Sequence, residues 1–264
     1  FGKIATAIGK FQMAGIKVTP PNINESGFTF TPLVKQNAIA SGLRNITRIS
    51  ADLVNQIIAN RPYTSIEDFT SKVKISKDRV VLLIKAGAFR ELDNRDRMTV
   101  LKDYVLSVSD QKKKLTLQNL QMLFNYNLIP DSFANERKIF NWVKYVRKSK
   151  DAAKANYILD DRAYAFYTSI LDESRITYDG GKRMVSISYV DNFYKAEMDK
   201  IKKFISANEK ELLEQLNHLL FLESWNKYKM DDIAQGEMQS MRIYVESHPL
   251  KDIQFEGINI TPLN

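Results

Sequence analysis

Residues 43–61, LRNITRISADLVNQIIANR, are spaced for one kind of chemistry, the holding of a phosphate by main-chain amides. When two helices meet at a tight turn, backbone N–H groups at the second helix's N-terminus point at a common spot, and an anion fits there. Nearby Lys or Arg adds charge-assisted hydrogen bonds and counterion release. The usual turn runs apolar-x-Gly-apolar-Gly, and here Arg48 and Ser50 stand at the two glycine places. Without glycine, close backbone approach and a positive φ are harder. Ser50 can cap the helix, and Arg48 offers a planar, permanently charged fork that can reach a phosphate itself. Arg44, Thr47, Arg48 and Ser50 are therefore candidate contacts, joined by Lys77 and Arg79 at the start of a similar helix. The alternative is a hairpin kept only for packing.

Other chemistries find few residues. A two-metal nucleotidyl-transfer centre needs carboxylates converging on ions about 4 Å apart. The adjacent pairs Asp160-Asp161 and Asp231-Asp232 are the candidates, and each opens an expected helix, where Asp is the ordinary cap. There is no cysteine, which excludes disulfides, thiolate zinc sites and a cysteine nucleophile. Only two histidines exist: His218 lies in a leucine-rich helix and His248 precedes Pro249, and structural roles are the default for both. No Gly-rich phosphate loop is present. The expectation is a chain with no catalytic and no metal-binding residues of its own. The basic clusters Lys112-Lys113-Lys114 and Arg147-Lys148-Ser149-Lys150 read as solvated loops or phosphate contacts. Gln118–Phe124, QNLQMLF, has the flavour of peptides that dock in sliding clamps, although the pattern is degenerate and amphipathic helix packing explains it better.

Charge supports a polyanionic partner at one end. Residues 1–90 carry thirteen Lys/Arg against five Asp/Glu, while residues 155–264 carry thirteen against eighteen, within a formal net charge of +8. Apolar runs such as Val80–Ile84 are too short to span a bilayer. No signal peptide follows Phe1, so the expectation is a soluble chain in the bacterial cytoplasm, read as a piece of a longer protein.

The elements that must position these residues are mostly helical. Ile4, Ala7, Ile8 and Phe11 recur at helical spacing, with Gly15 placed to end the helix. Pro20-Pro21 and the alternating Phe28 and Phe30 indicate an extended segment with a short strand, and 38–43 suggests another. Three short helices follow: 53–60, one opened by a capping box at Thr64–Glu67, and 77–86 with Ser76 as cap and Gly87 as stop. Beyond them the pattern predicts helices over 95–108, 115–126, 133–147 and 162–171, a long one near 192–222, and one over 231–245. The turn Asp179-Gly180-Gly181 introduces a strand about 183–190, and the tail IQFEGINITPLN alternates like an edge strand. The fold expected is mostly α, with short strands at 16–43 and about 183–190 and a truncated β start at the C-terminus. The domains expected are an extended connector over 1–36, a tandem hairpin unit over 37–92, a helical region of unassigned role over 93–246, and a linker over 247–264.

Several blocks, in this order, resemble one family. AGIKVTPPNINESGFTFT resembles the segment that closes the fingers of the bacterial replicative DNA polymerase III alpha subunits, the C-family polymerases, in a phage-encoded form. GLRNITRISADLVNQIIANRPYTSIEDFTSKVKISKDRVVLLIKAGAF resembles their tandem helix-hairpin-helix region, and EMQSMRIYVESHPL their signature before an OB (oligonucleotide-binding) domain. WNKY at 225–228 is similar to phage versions. The resemblance implies a C-terminal part of such a polymerase. It would hold primer–template duplex by its backbone, and residues 247–264 would lead into the OB domain. Catalysis with two divalent metal ions, Mg, would belong to a palm outside this chain. The implied partners are duplex DNA, the rest of the polymerase and a sliding clamp, with no membrane. The rival reading is a non-catalytic interaction module of a phage replication protein, in which residues 94–230 bind a protein.

Overall fold

The computed structural model describes residues 2–246, so the His248-Pro249-Leu250 stop and the β start expected over 247–264 lie outside the described residues. The chain forms two compact units, residues 2–109 with 221–246, and residues 110–220. The first opens with α1, Gly2–Met13. Gly15 ends it at φ +75, with its amide 3.0 Å from the Gln12 carbonyl. Strands β1 (Lys17–Thr19), β2 (Thr31–Leu33) and β3 (Ala38–Ala40) make a sheet with β3 in the middle. β1 runs parallel to β3, with Lys17 opposite Ala38, and β2 antiparallel to it, with Thr31 opposite Ala40. The strand expected over Phe28 and Phe30 starts later, at Thr31. Residues 27–30 instead cross Gly42, and the Gly27 and Phe28 carbonyls accept the amides of Leu43 and Arg44 at 2.9 and 3.1 Å.

Caps set the next helices. Ser50 opens α2, Ala51–Ala59, by accepting the Leu53 amide at 3.3 Å. The capping box expected at Thr64–Glu67 does not form before α3, Ile66–Lys72: Ser65 is the cap and accepts the Asp68 amide, while the Asp68 carboxylate accepts the amide of Thr64 rather than that of the cap. α4, Lys77–Lys85, stops at Gly87, whose φ of +81 only glycine adopts without strain. Asp96 caps α5, Arg97–Val108, so that helix begins two residues later than its pattern suggests.

In the second unit, α6 is reduced to Leu120–Asn125, because Thr116 and Asn119 exchange capping bonds and impose a 3-10 turn before it. α7 spans Ala134–Val146. β4 (Lys150–Asp151), β5 (Asn156–Leu159), α8 (Asp161–Thr168), β6 (Thr177–Asp179) and β7 (Lys182–Ser186) follow, and the strands form an antiparallel sheet in the order β4-β5-β7-β6. The strand expected about 183–190 is β7, and Ile187 already opens α9, Ile187–Ala207. The single long helix expected near 192–222 is two. Asn208 turns its side chain onto the Phe204 carbonyl at 2.9 Å, and α10, Glu209–Tyr228, starts afresh. One core of this unit gathers Leu120, Leu123 and Phe124 with Ile201 and Leu216, and another gathers Trp142, Tyr157 and Tyr167 with Val185.

The last part of α10, from Phe221, and α11, Ile233–Met241, complete the first unit. Its core joins Leu43, Ile46, Ile49 and Phe69 to Leu83, Tyr228 and Met241. Lys85 is 5% exposed, and its ammonium donates to Gln239 Oε1 at 2.5 Å and the Lys229 carbonyl at 3.2 Å. Burial lowers its pKa from 10.5 to about 8. The folded chain therefore releases this proton before the unfolded chain does, and stability rises with pH between about 8 and 10.5. The stability difference between Lys85→Met and the unaltered chain is expected to stay constant below pH 8. It then moves in favour of the unaltered chain by at most about 3 kcal/mol as pH rises to 10.5. Urea unfolding at a series of pH values measures this, and a constant difference throughout refutes it.

Candidate nucleic-acid interface

The first hairpin is anchored by Ile46 and Ile49, both buried, on either side of Thr47 and Arg48. Arg48 is exposed and takes φ +61, the left-handed conformation that the glycine of the usual turn would supply. The turn thus survives the loss of glycine, with the strain carried by Arg48 and its guanidinium set at the apex. Ser50 is exposed and serves as the cap of α2. Arg44 spans the turn, its guanidinium donating to the Ile49 carbonyl, so part of its donor set holds the hairpin's shape. The Thr47 amide is committed to the Ser240 carbonyl at 2.7 Å.

Lys77 and Arg79 lie in the first turn of α4, Lys77 exposed and Arg79 half-buried. Ser76 opens this helix without a side-chain capping bond. The two hairpins share a local pattern, Ile-Ser-x-Asp-x-Val, at 49–54 and 75–80. Aligning them places exposed Lys74 where Arg48 stands, a residue absent from the candidates read off the sequence. The hexapeptide repeat is the signal that finds it. Each turn then carries one cation at its apex and an Asp in the first turn of the following helix, Asp52 or Asp78.

Elsewhere the sequence candidates have structural work. Asp160 caps α8 by accepting the Ala163 amide at 2.8 Å, and Asp232 caps α11 by accepting the Gln235 amide at 2.7 Å. Asp161 pairs with Arg183 at 2.8 Å, and Asp231 bonds Gln235. No group of His, Asp or Glu that could hold a metal ion occurs among the described residues. His218 is exposed on α10. Lys112 pairs with Asp110, and Arg147 pairs with Asp191 at 3.1 Å and lies 4.8 Å from the Tyr194 ring centre. Leu120, Leu123 and Phe124 of the QNLQMLF segment are buried. Among the described residues, no helix is long and apolar enough to cross a membrane.

Arg48 separates strain from binding. An L-residue in the left-handed region costs about 1–2 kcal/mol, so Arg48→Gly is expected to raise stability by about 1 kcal/mol while removing the apical charge. A melting curve checks this, and a clear loss of stability would show that the guanidinium is tied into the fold.

A helix-hairpin-helix family model matches residues 15–99. The chain is 32% identical over 270 residues to the DNA-directed DNA polymerase of Bacillus phage SPbeta, across 98% of this chain and 20% of that protein. The same figures hold for the protein named probable DNA polymerase YorL of Bacillus subtilis (strain 168). DNA polymerase III subunit alpha of Mycobacterium tuberculosis (strain ATCC 25618 / H37Rv) is 32% identical over 120 residues, 42% of this chain and 10% of its own length. The chain spans about a fifth of the length of the first two relatives.

Proposed function

Because this chain is homologous along nearly all its length to a segment of DNA polymerases related to the DNA polymerase III alpha subunits, we propose that it serves such a polymerase by binding primer–template duplex. The contacts are to phosphates and do not read sequence. The observation that carries this reading is Arg48, a cation held at positive φ on the apex of an intact hairpin turn, with Lys74 in the equivalent place of the second hairpin. Phosphate contacts position a duplex and carry no base information. The excess of Lys and Arg over residues 1–90 supports the same polarity.

Deoxynucleotide addition and its two divalent ions belong, in this proposal, to a palm elsewhere in the polymerase, which is also the first partner proposed. The described residues do not fit such a centre, since Asp160 and Asp232 are spent on helix caps. The rival reading, with the hairpins structural only, keeps the protein-interaction role in residues 94–230.

Each neutralised phosphate lowers log K by about 0.9 per log unit of salt. The chain is expected to bind two duplexes of unrelated sequence alike, with a measurable salt slope. Arg48→Ala should weaken both equally and reduce the slope by about one contact. Fluorescence anisotropy at several salt concentrations measures this. Binding that ignores salt, a strong preference for one duplex, or an unchanged affinity in Arg48→Ala would count against the proposal.

A further inference from the structure

The shared hairpin pattern puts a carboxylate in the first turn of both second helices. Such a carboxylate suits the helix dipole, but it repels a phosphate brought to the same N-terminus. At the first hairpin Asp52 is exposed, and no other side chain pairs with it among the described residues. At the second, Asp78 is held. The Tyr228 hydroxyl donates to Asp78 Oδ1, and Lys227 Nζ lies 3.4 Å from the same oxygen. Lys227 Nζ also stands 3.0 Å from the Tyr228 hydroxyl oxygen and 4.7 Å from its ring centre. Tyr228 is 6% exposed, so packing of its ring aims the hydroxyl. The hydrogen bond from Tyr228, with Lys227 adding to it, holds the Asp78 carboxyl below the usual carboxylate range. The contact joins residues 150 apart in sequence.

We propose that Tyr228 and Lys227 are positioning residues for duplex binding: they hold and offset the Asp78 carboxylate so that the second hairpin, with Lys74 and Lys77 at its turn, attracts a phosphate. The inference rests on the reading that the hairpins meet phosphate. It also gives the two hairpins different devices. Among the described residues, the first leaves Asp52 without a side-chain partner behind the apical Arg48, and the second adds a clamp from the end of α10 in which Tyr228 fixes the Asp78 carboxylate and Lys227 offsets its charge.

A tether that is merely structural makes a different forecast, and removal of charge distinguishes the two. Duplex affinity and melting temperature would be measured for the unaltered chain, Arg48→Ala, Tyr228→Phe, Asp78→Asn and the double variant Tyr228→Phe/Asp78→Asn. Tyr228→Phe is expected to weaken binding to both duplexes by about two- to fivefold at low salt, the size of one exposed charge interaction. Asp78→Asn should bind at least as tightly as the unaltered chain. The double variant should recover the affinity of Asp78→Asn, even where its melting temperature stays as low as that of Tyr228→Phe. A structural tether would instead leave the double variant as weak as Tyr228→Phe. That result, or an unchanged affinity in Tyr228→Phe, overturns the inference. If the chain binds duplex and Arg48→Ala weakens it while Tyr228→Phe does not, this inference falls and the hairpin reading stands. If the unaltered chain binds neither duplex, both fall.

Discussion

Replacing Glu237 by alanine is expected to destabilise the first unit by about 3 kcal/mol or more, because two amides lose their acceptor at once. Glu237 is fully buried in α11. Its carboxylate accepts the Val245 amide at 2.7 Å and the Glu246 amide at 3.0 Å, so one side chain fixes the chain's exit from α11. Arg97, 9% exposed at its side chain, stands 3.9 Å from the same carboxylate and also pairs with Glu246. Arg97 donates to the Lys85 carbonyl at 3.1 Å as well, which links this cluster to the end of α4. Burial pushes the Glu237 carboxyl above its ordinary value, while the two amides and Arg97 pull it back. A buried pair of this kind adds little net stability against an apolar substitute, yet breaking it from one side is costly. Arg97 keeps Glu246 and the Lys85 carbonyl, so the loss in Glu237→Ala falls mainly on the two amides, at about 1–3 kcal/mol each. Glu237→Gln retains one acceptor oxygen and should lose less than half as much. Urea unfolding of both variants tests this. A Glu237→Ala loss under about 1 kcal/mol would mean that residues 245 and 246 find other partners.

The sequence exposes the hairpins because their boundaries are written locally. Ser50, Ser65 and Gly87 act within four residues of where they stand, through a cap or a positive φ. The same holds for Asp160 and Asp232, whose adjacency to a second Asp suggests metal chemistry but whose position at a helix start decides the role. Lys74 is equally local, and only the paired hexapeptides at 49–54 and 75–80 mark its place as equivalent to that of Arg48. The other discrepancies also have physical causes. β5 is four residues, NYIL, too few for alternation to distinguish a strand from a loop. The break at Asn208 rests on one side chain competing for one carbonyl inside a stretch that is periodic on both sides. Asp78 with Tyr228, and Lys85 with Lys229 and Gln239, join residues about 150 positions apart, and no local pattern encodes such pairs.

Gly42→Ala and Gly9→Ala are expected to move stability in opposite directions, although each adds one methyl group. Gly42 precedes the first hairpin and has φ −77, a value any residue adopts, so backbone conformation does not require glycine there. Close approach does. A Cβ at this position would stand 2.3 Å from the Thr29 carbonyl oxygen and 2.4 Å from that of Phe28, both main-chain atoms. The segment 27–30 would have to withdraw. Withdrawal stretches the bonds from the Leu43 and Arg44 amides to Gly27 and Phe28, now 2.9 and 3.1 Å. Alanine would gain about 0.4–1 kcal/mol from the smaller entropy of its unfolded chain. Overpacking against rigid backbone costs about 1–3 kcal/mol, so the steric term wins. Gly9 lies inside α1, and a Cβ there meets nothing within 4 Å. There the helix propensity of alanine acts unopposed and should add about 0.8–1 kcal/mol. Paired denaturation curves give both numbers. A Gly42→Ala variant as stable as the unaltered chain would show that residues 27–30 yield freely, and the hairpin would then lack the fixed support on which Arg48 depends. With the clash confirmed, the proposed duplex binding implies that Gly42→Ala also loses duplex affinity, because Arg44, whose amide bonds Phe28 and whose guanidinium spans the turn to the Ile49 carbonyl, moves with the displaced segment.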